Sequence, residues 1–251
     1  MKNFLWISIL LASVVAAQAG VLMVQETTTG KSGKAVVSRF LLDGKAVRME
    51  VEGTDRALVI YRADRKVFWM CDPKAKTYTE MTKQDVERMA SQADSAMAQM
   101  QEQLKDMPAE QRAMVEKMMK KQAGGVKAEP ARKYVRKATG EKVGKWKADR
   151  FEWAQGDRQE TIWAAPAGNL GIGASDMTAL KDMSSFFSKM AKGRTRGLAY
   201  DREEAGVKGV PVQARFKEGS VVTVTVLKEV AKVDHPPSVF EIPQGYKRVK
   251  P

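Results

Sequence analysis

Within the first third of the chain, short runs alternate in side-chain character one for one. Val47, Met49 and Val51 alternate with Arg48, Glu50 and Glu52, and Phe40 and Leu42 with Arg39 and Leu41. Period two is the spacing of a strand with one dry and one wet face. Asp43-Gly44 between two such runs is a hairpin signal. Further strand-like runs follow at Ala57 to Tyr61, Lys66 to Cys71 and Lys76 to Met81. Their connections are too short for parallel crossovers, so these strands form an antiparallel meander.

At Thr82 the period changes. Thr82-Lys83-Gln84-Asp85 has the form of a capping box with Asp in place of Glu. Val86, Met89, Ala93, Met97, Met100, Leu104 and Met107 then recur at steps of three or four, one stripe of a helix. Pro108 breaks it, and a second helix over 109–122 stops at Gly124-Gly125. Strands resume at Lys133 to Ala138, Lys145 to Trp153 and Gln159 to Ala164, with Gly140 and Gly144 punctuating a turn. A loose apolar loop, Asn169 to Gly173, leads to a helix capped by Ser175, with Met177, Leu180, Met183, Phe187 and Met190 on one face. Val210 to Phe216 and Ser220 to Val230 return to strands. Strands, then helices, then strands, without a repeat, predict one α+β domain over 20–251 with a helical insertion at about 82–123.

The amino end is different in kind. Lys2 precedes an uncharged apolar run from Phe4 to Ala17, and Ala17-Gln18-Ala19 offers the small-x-small pattern of a signal-peptidase site. The run falls short of the roughly 20 residues that a membrane span needs, so residues 1–19 are expected to be removed, a retained anchor being the alternative. No other stretch is long and apolar enough to span. The expected location is periplasmic or secreted.

Composition narrows the chemistry. The chain has 251 residues with a formal net charge of +13, one His and one Cys. A single Cys excludes an intrachain disulfide framework, and one His, His235, excludes a multi-histidine metal centre. His235 precedes two prolines and reads as a loop residue. Gly30-Lys31-Ser32-Gly33-Lys34 lacks the earlier glycine of a phosphate loop and reads as a hairpin turn. No nucleophile elbow and no isolated carboxylate pair is present, so we expect no enzyme activity, no cofactor and no metal. Between residues 117 and 150 the chain carries twelve Lys and Arg against three acidic residues. Nucleic acid is the usual partner of such a cluster. For an exported protein the partner is instead an anionic envelope surface or polymer, with Lys120, Lys121, Arg136 and Lys137 as its contacts; a merely solvated face is the alternative.

Fifteen methionines occur, eight of them between Met81 and Met119. Thioethers bind Cu(I), but the stripe keeps helical spacing and includes Val86, Ala93 and Leu104, so packing accounts for it without metal. Unbranched Met surfaces also adapt to irregular apolar partners, which suits a lid over a lipid-like ligand.

Several segments together resemble a known family: Cys71-Asp72-Pro73 at a strand end, Met107-Pro108-Ala109-Glu110-Gln111-Arg112 in the helical pair, Gly140-Glu141-Lys142-Val143-Gly144-Lys145-Trp146, Gly209-Val210-Pro211-Val212, and the closing Phe240-Glu241-Ile242-Pro243-Gln244-Gly245-Tyr246. The chain resembles an exported bacterial family catalogued as a domain of unknown function, itself similar to the periplasmic lipoprotein carriers LolA and LolB. The resemblance implies a strongly curved antiparallel sheet, an unclosed β-barrel, with helices covering its concave face and an apolar cavity for acyl chains. The latch arginine of those carriers matches no Arg here. The expected function is a non-enzymatic binding protein holding a lipid or other hydrophobic ligand between sheet and helices. An envelope-binding module with a packed core is the alternative. Residues expected on the dry side of the sheet are Phe40, Met49, Ile60, Trp69, Trp153, Trp163, Val224 and Val226, facing Met89, Met100 and Phe187.

Overall fold

A computed structural model describes residues 18–30, 33–53, 56–105, 108, 111, 132–191, 203 and 205–250; the side chains of 90, 93, 94, 97, 101, 105 and 187–191 fall outside the description. Twelve strands among the described residues form one sheet, in the order β12-β6-β5-β4-β3-β2-β1-β11-β10-β9-β8-β7. The first meander is β1 (Gln18–Thr29), β2 (Val36–Leu42), β3 (Ala46–Glu52), β4 (Ala57–Arg62), β5 (Val67–Asp72) and β6 (Thr77–Thr82). The second is β7 (Val135–Val143), β8 (Trp146–Gln155), β9 (Arg158–Ala165), β10 (Val210–Glu218) and β11 (Val221–His235). Long β1 and longer β11 pair along their length and join the two halves, and β12 (Lys247–Arg248) lies parallel to β6. The sheet is open and curved. Register shifts at Val24/Gln25 and Pro211/Gln213 insert bulges, which bend a strand and sharpen its twist.

The helices are α1 (Lys83–Lys105) and α2 (Ala174–Ala191). Asp85 caps α1 as the sequence predicts: the Thr82 N–H donates to Asp85 Oδ2 at 2.9 Å and the Asp85 N–H to Thr82 Oγ1 at 3.2 Å. For α2 the cap is different. The helix begins at Ala174, the Gly173 N–H donates to Asp176 Oδ2 at 3.1 Å, and Ser175 lies within the first turn. The segment before it is no loose loop: Ala167–Leu170 is a 3-10 turn, and Leu170 and Ile172 are buried in the core. Gly140 likewise lies inside β7, at a bulge, rather than in a turn. Apart from Gln111, the second helix expected at 109–122 lies outside the described residues.

Three apolar layers hold the sheet. The largest lies under the helices: Met23, Phe40, Leu42, Met49, Val59, Tyr61, Phe68 and Met81 from the sheet meet Val86 of α1 and Ala179, Leu180, Met183 and Phe186 of α2. The second lies on the opposite face of β3–β5, where Leu58, Ile60, Val67, Trp69 and Cys71 pack on Phe240. The third gathers Tyr134, Phe151, Ile162, Ala164 and Val207, with Trp153 partly buried against it. In β4, Val59 and Tyr61 thus face the helices while Leu58 and Ile60 face away. That is why its apolar run is unbroken, as strands covered on both faces read.

Candidate functional site

The two helices are attached very differently. Leu180 and Met183 of α2 are 0% exposed, so α2 is part of the core. In α1, about 34 Å long by the rise per residue, the buried side chains among those described are Val86 and Leu104. These stand about five turns apart on one line of the helix. Met89 and Met100, 46% and 38% exposed, lie with exposed Ala96 on the flank beside that line. The expectation that Met89 and Met100 face the sheet is therefore corrected. Of the stripe's methionines, Met89 and Met100 turn to solvent.

At the amino end of α1 a cleft of about 180 Å³ opens between α1, α2 and the β4–β5 hairpin, lined by Tyr61, Lys66, Lys83, Val86, Glu87, Asp182, Ser185 and Phe186. Its floor is aromatic. Tyr61 packs at 5.8 Å from Phe186, which stacks at 5.7 Å on Phe68. Its rim is charged. Lys66 Nζ donates to Asp182 Oδ2 at 2.7 Å, and Lys83 stands 3.6 Å from Glu87. Lys66 sits at the hairpin turn with φ 50°, a conformation uncommon outside Gly, Asn and Asp, and from there it spans to α2. Burial raises the Tyr61 phenol above its ordinary pKa, with Lys66 pulling it down and Asp182 pushing it up. The Asp182 bond holds the Lys66 ammonium above its ordinary value.

The other predicted site residues are distributed over separate layers. Phe40 and Met49 lie under the helices, and Trp163 packs against the same cluster, its Nε1–H donating to Glu141 Oε2 at 2.8 Å. Ile60 and Trp69 do not face the helices: they belong to the opposite layer, with Trp69 Nε1–H on Glu80 Oε2 at 3.0 Å. Trp153 is in the third layer, its ring under the Arg132 guanidinium at 4.6 Å. Val224 and Val226 are half-buried opposite Arg215 and Gln213 of β10 and belong to none of the three clusters. The side chain of Phe187 lies outside the description; its neighbour Phe186 is the buried one. One residue of shift in a helical stripe is about 100° of rotation, and apolar spacing alone does not separate the two phenylalanines.

Lys120 and Lys121 lie outside the described residues. Arg136 and Lys137 are exposed on β7, with Lys133, Lys142, Lys145 and Lys147 exposed nearby. β7 is a terminal strand of the sheet, and lysines and bulges on such a strand discourage pairing with another chain. His235 is not a loop residue: it ends β11, 5% exposed, edge-on to Phe240 at 5.0 Å. Sequence reasoning missed Tyr61, Lys66, Lys83, Asp182 and Phe186. The usable signal was the unbroken apolar run Leu58-Val59-Ile60-Tyr61, which places Tyr61 beneath a second cover rather than at a wet surface.

Among the described residues no group of three or more His, Cys, Asp or Glu is placed to hold a metal ion. No helix among them is long and apolar enough to cross a membrane.

No family model matches the chain, and no curated protein matches it. Among solved structures it is similar to an uncharacterized conserved protein from Thermus thermophilus, at 8% identity over 93% of this chain and 91% of that one, TM-score 0.46. It is also similar to a LolA superfamily protein from Nitrosomonas europaea (10% identity, 90% of each chain, TM-score 0.29) and to a DUF1329 family protein from Desulfovibrio piger (10%, 90% of each, 0.28). The architecture itself rests on strand order and burial.

Proposed function

We propose that this protein is an exported, non-enzymatic binding protein that takes a lipid or other hydrophobic ligand between its curved sheet and α1. The observation that carries this reading is the asymmetry of the helices. Among the described side chains, α2 buries Ala179, Leu180, Met183 and Phe186 in the core, whereas α1 leaves Met89, Ala96 and Met100 in water. A flexible methionine edge fits ligands of varied shape. The cleft of about 180 Å³ is smaller than the roughly 300–1,000 Å³ of drug-sized ligand sites. A full acyl chain therefore enters as α1 moves from β6 and α2 and widens the cleft over Tyr61 and Phe186.

Export is supported by where burial begins. Gln18 and Ala19 are exposed in β1, while Gly20 and Val21 are buried, so cleavage after Ala19 removes none of the buried positions of this strand. A side chain at Gly20 would meet Leu42 O at 2.6 Å and His235 Nε2 at 2.7 Å, which ties the first residue of the processed chain into the core.

Hydrogen exchange tests the reading. α1 amides are expected to exchange faster than those of α2 and to become protected when dodecanoate is added. Equal protection of both helices without ligand, and no change on adding it, would overturn the proposal.

A further inference from the structure

The cleft at the start of α1 carries more than shape. Tyr61 is 2% exposed and lines the cleft. Lys66 and Asp182 act electrostatically on its phenol and line the same cleft. A phenol O–H at the floor of such a cleft can donate to a bound acceptor. Around it stand two ammonium groups. Each carries three donors, and one carboxylate contact per lysine leaves donors unspent: Lys66 on Asp182, and Lys83 at 3.6 Å from Glu87 with both side chains more than half exposed. The loose Lys83–Glu87 pair swings aside at little cost, since exposed helix pairs are worth only a few tenths of a kcal/mol.

We infer that this cleft is an anion subsite for the carboxylate or phosphate headgroup of an amphiphile, with Tyr61 donating from the floor and Lys66 and Lys83 from the rim, while Val86 and Phe186 hold the first methylenes. The inference rests on the binding function proposed above and adds the ligand class and its orientation: headgroup at the amino end of α1, chain directed under the helix. It also assigns the unusual backbone of Lys66 a task. A turn held at φ 50° places its ammonium over the cleft.

The test is calorimetric titration of the full chain with dodecanoate, dodecyl maltoside, dodecyltrimethylammonium, butyrate and inorganic phosphate. Tyr61→Phe removes one oxygen from a ring whose packing remains, and Lys83→Gln changes an exposed side chain, so both are expected to melt as the wild type does. Each is expected to weaken dodecanoate about tenfold, the loss of one hydrogen bond to a charged group, and to leave dodecyl maltoside unchanged. Unchanged dodecanoate affinity in the double variant would overturn the subsite and leave the binding function standing. Phosphate or butyrate bound as tightly as dodecanoate would keep the anion site and overturn the amphiphile. Tighter binding of dodecyltrimethylammonium, lost in Asp182→Asn, would reverse the assigned charge. Wild-type protein that binds none of these probes would overturn both.

Discussion

Met183 and Met89 have the same side chain and opposite surroundings. Met183 is enclosed among Phe186, Leu180 and the sheet, whereas Met89 stands on the wet flank of α1. Truncating a buried Met leaves a cavity and costs about 2–5 kcal/mol; changing an exposed one stays within about 0.5 kcal/mol. Met183→Ala is therefore expected to lower the urea midpoint by that larger amount, and Met89→Ser to leave it in place while weakening hydrophobic ligand binding. Equal effects of the two would show that α1 is as much core as α2. Composition made the methionines visible but could not divide them, because a thioether fits water-facing and core positions alike. Cys71 shows the same dependence on place. Burial in the layer behind Trp69 pushes its thiol up to about 11, so it is a packing group rather than a nucleophile.

At the scale of elements, what the sequence disclosed depended on how local the cause was. The cap of α1 is a contact within four residues, and Thr82 with Asp85 announced it. The Asp85 carboxyl is held below the usual carboxylate range, first by the Thr82 hydroxyl and then by the Thr82 backbone N–H. A depressed folded pKa stabilises above the unfolded value, about 3.9, and that stabilisation disappears as pH falls through the folded one. The amino end of α1 is expected to fray on acidification below about pH 4 and, in Asp85→Ala, already at neutral pH, both read by amide exchange at residues 83–87. What α1 rests against was not legible. Periodicity marks which side of a helix is apolar, not how much of it a distant strand covers. Strand alternation had the same blind spot at Ile60 and Trp69. Their apolarity was plain, but the cover that buries them is supplied from the far end of the chain.

At the scale of the molecule, that cover is the segment after β11. Phe240 packs on Ile60 and Trp69, Arg48 donates to the Val239 carbonyl at 2.8 Å, and Arg62 and Arg65 both reach Glu241. Lys247 and Val249 then donate backbone bonds to Lys76 and Tyr78, both at 2.9 Å. Phe240→Ala is expected to destabilise the protein by about 3–5 kcal/mol, measured by chemical denaturation with Trp69 fluorescence as one probe. A loss below about 1 kcal/mol would mean that the segment merely rests on the sheet. The moderately distinctive Phe-x-Ile-Pro-x-Gly-Tyr ending was legible as a motif; its physical role as an outer cover was not, because it acts on strands nearly two hundred residues earlier.

The seam between β1 and β11 has a kinetic side. Thr27 and Thr225 share a hydroxyl contact at 3.0 Å across 198 positions of sequence, so the first strand made finds its second neighbour only when nearly all the chain exists. Loop closure on that scale slows collapse to the native state. For the export proposed above, such delay keeps the opening strand threadable until the last long strand emerges and zips the two halves shut.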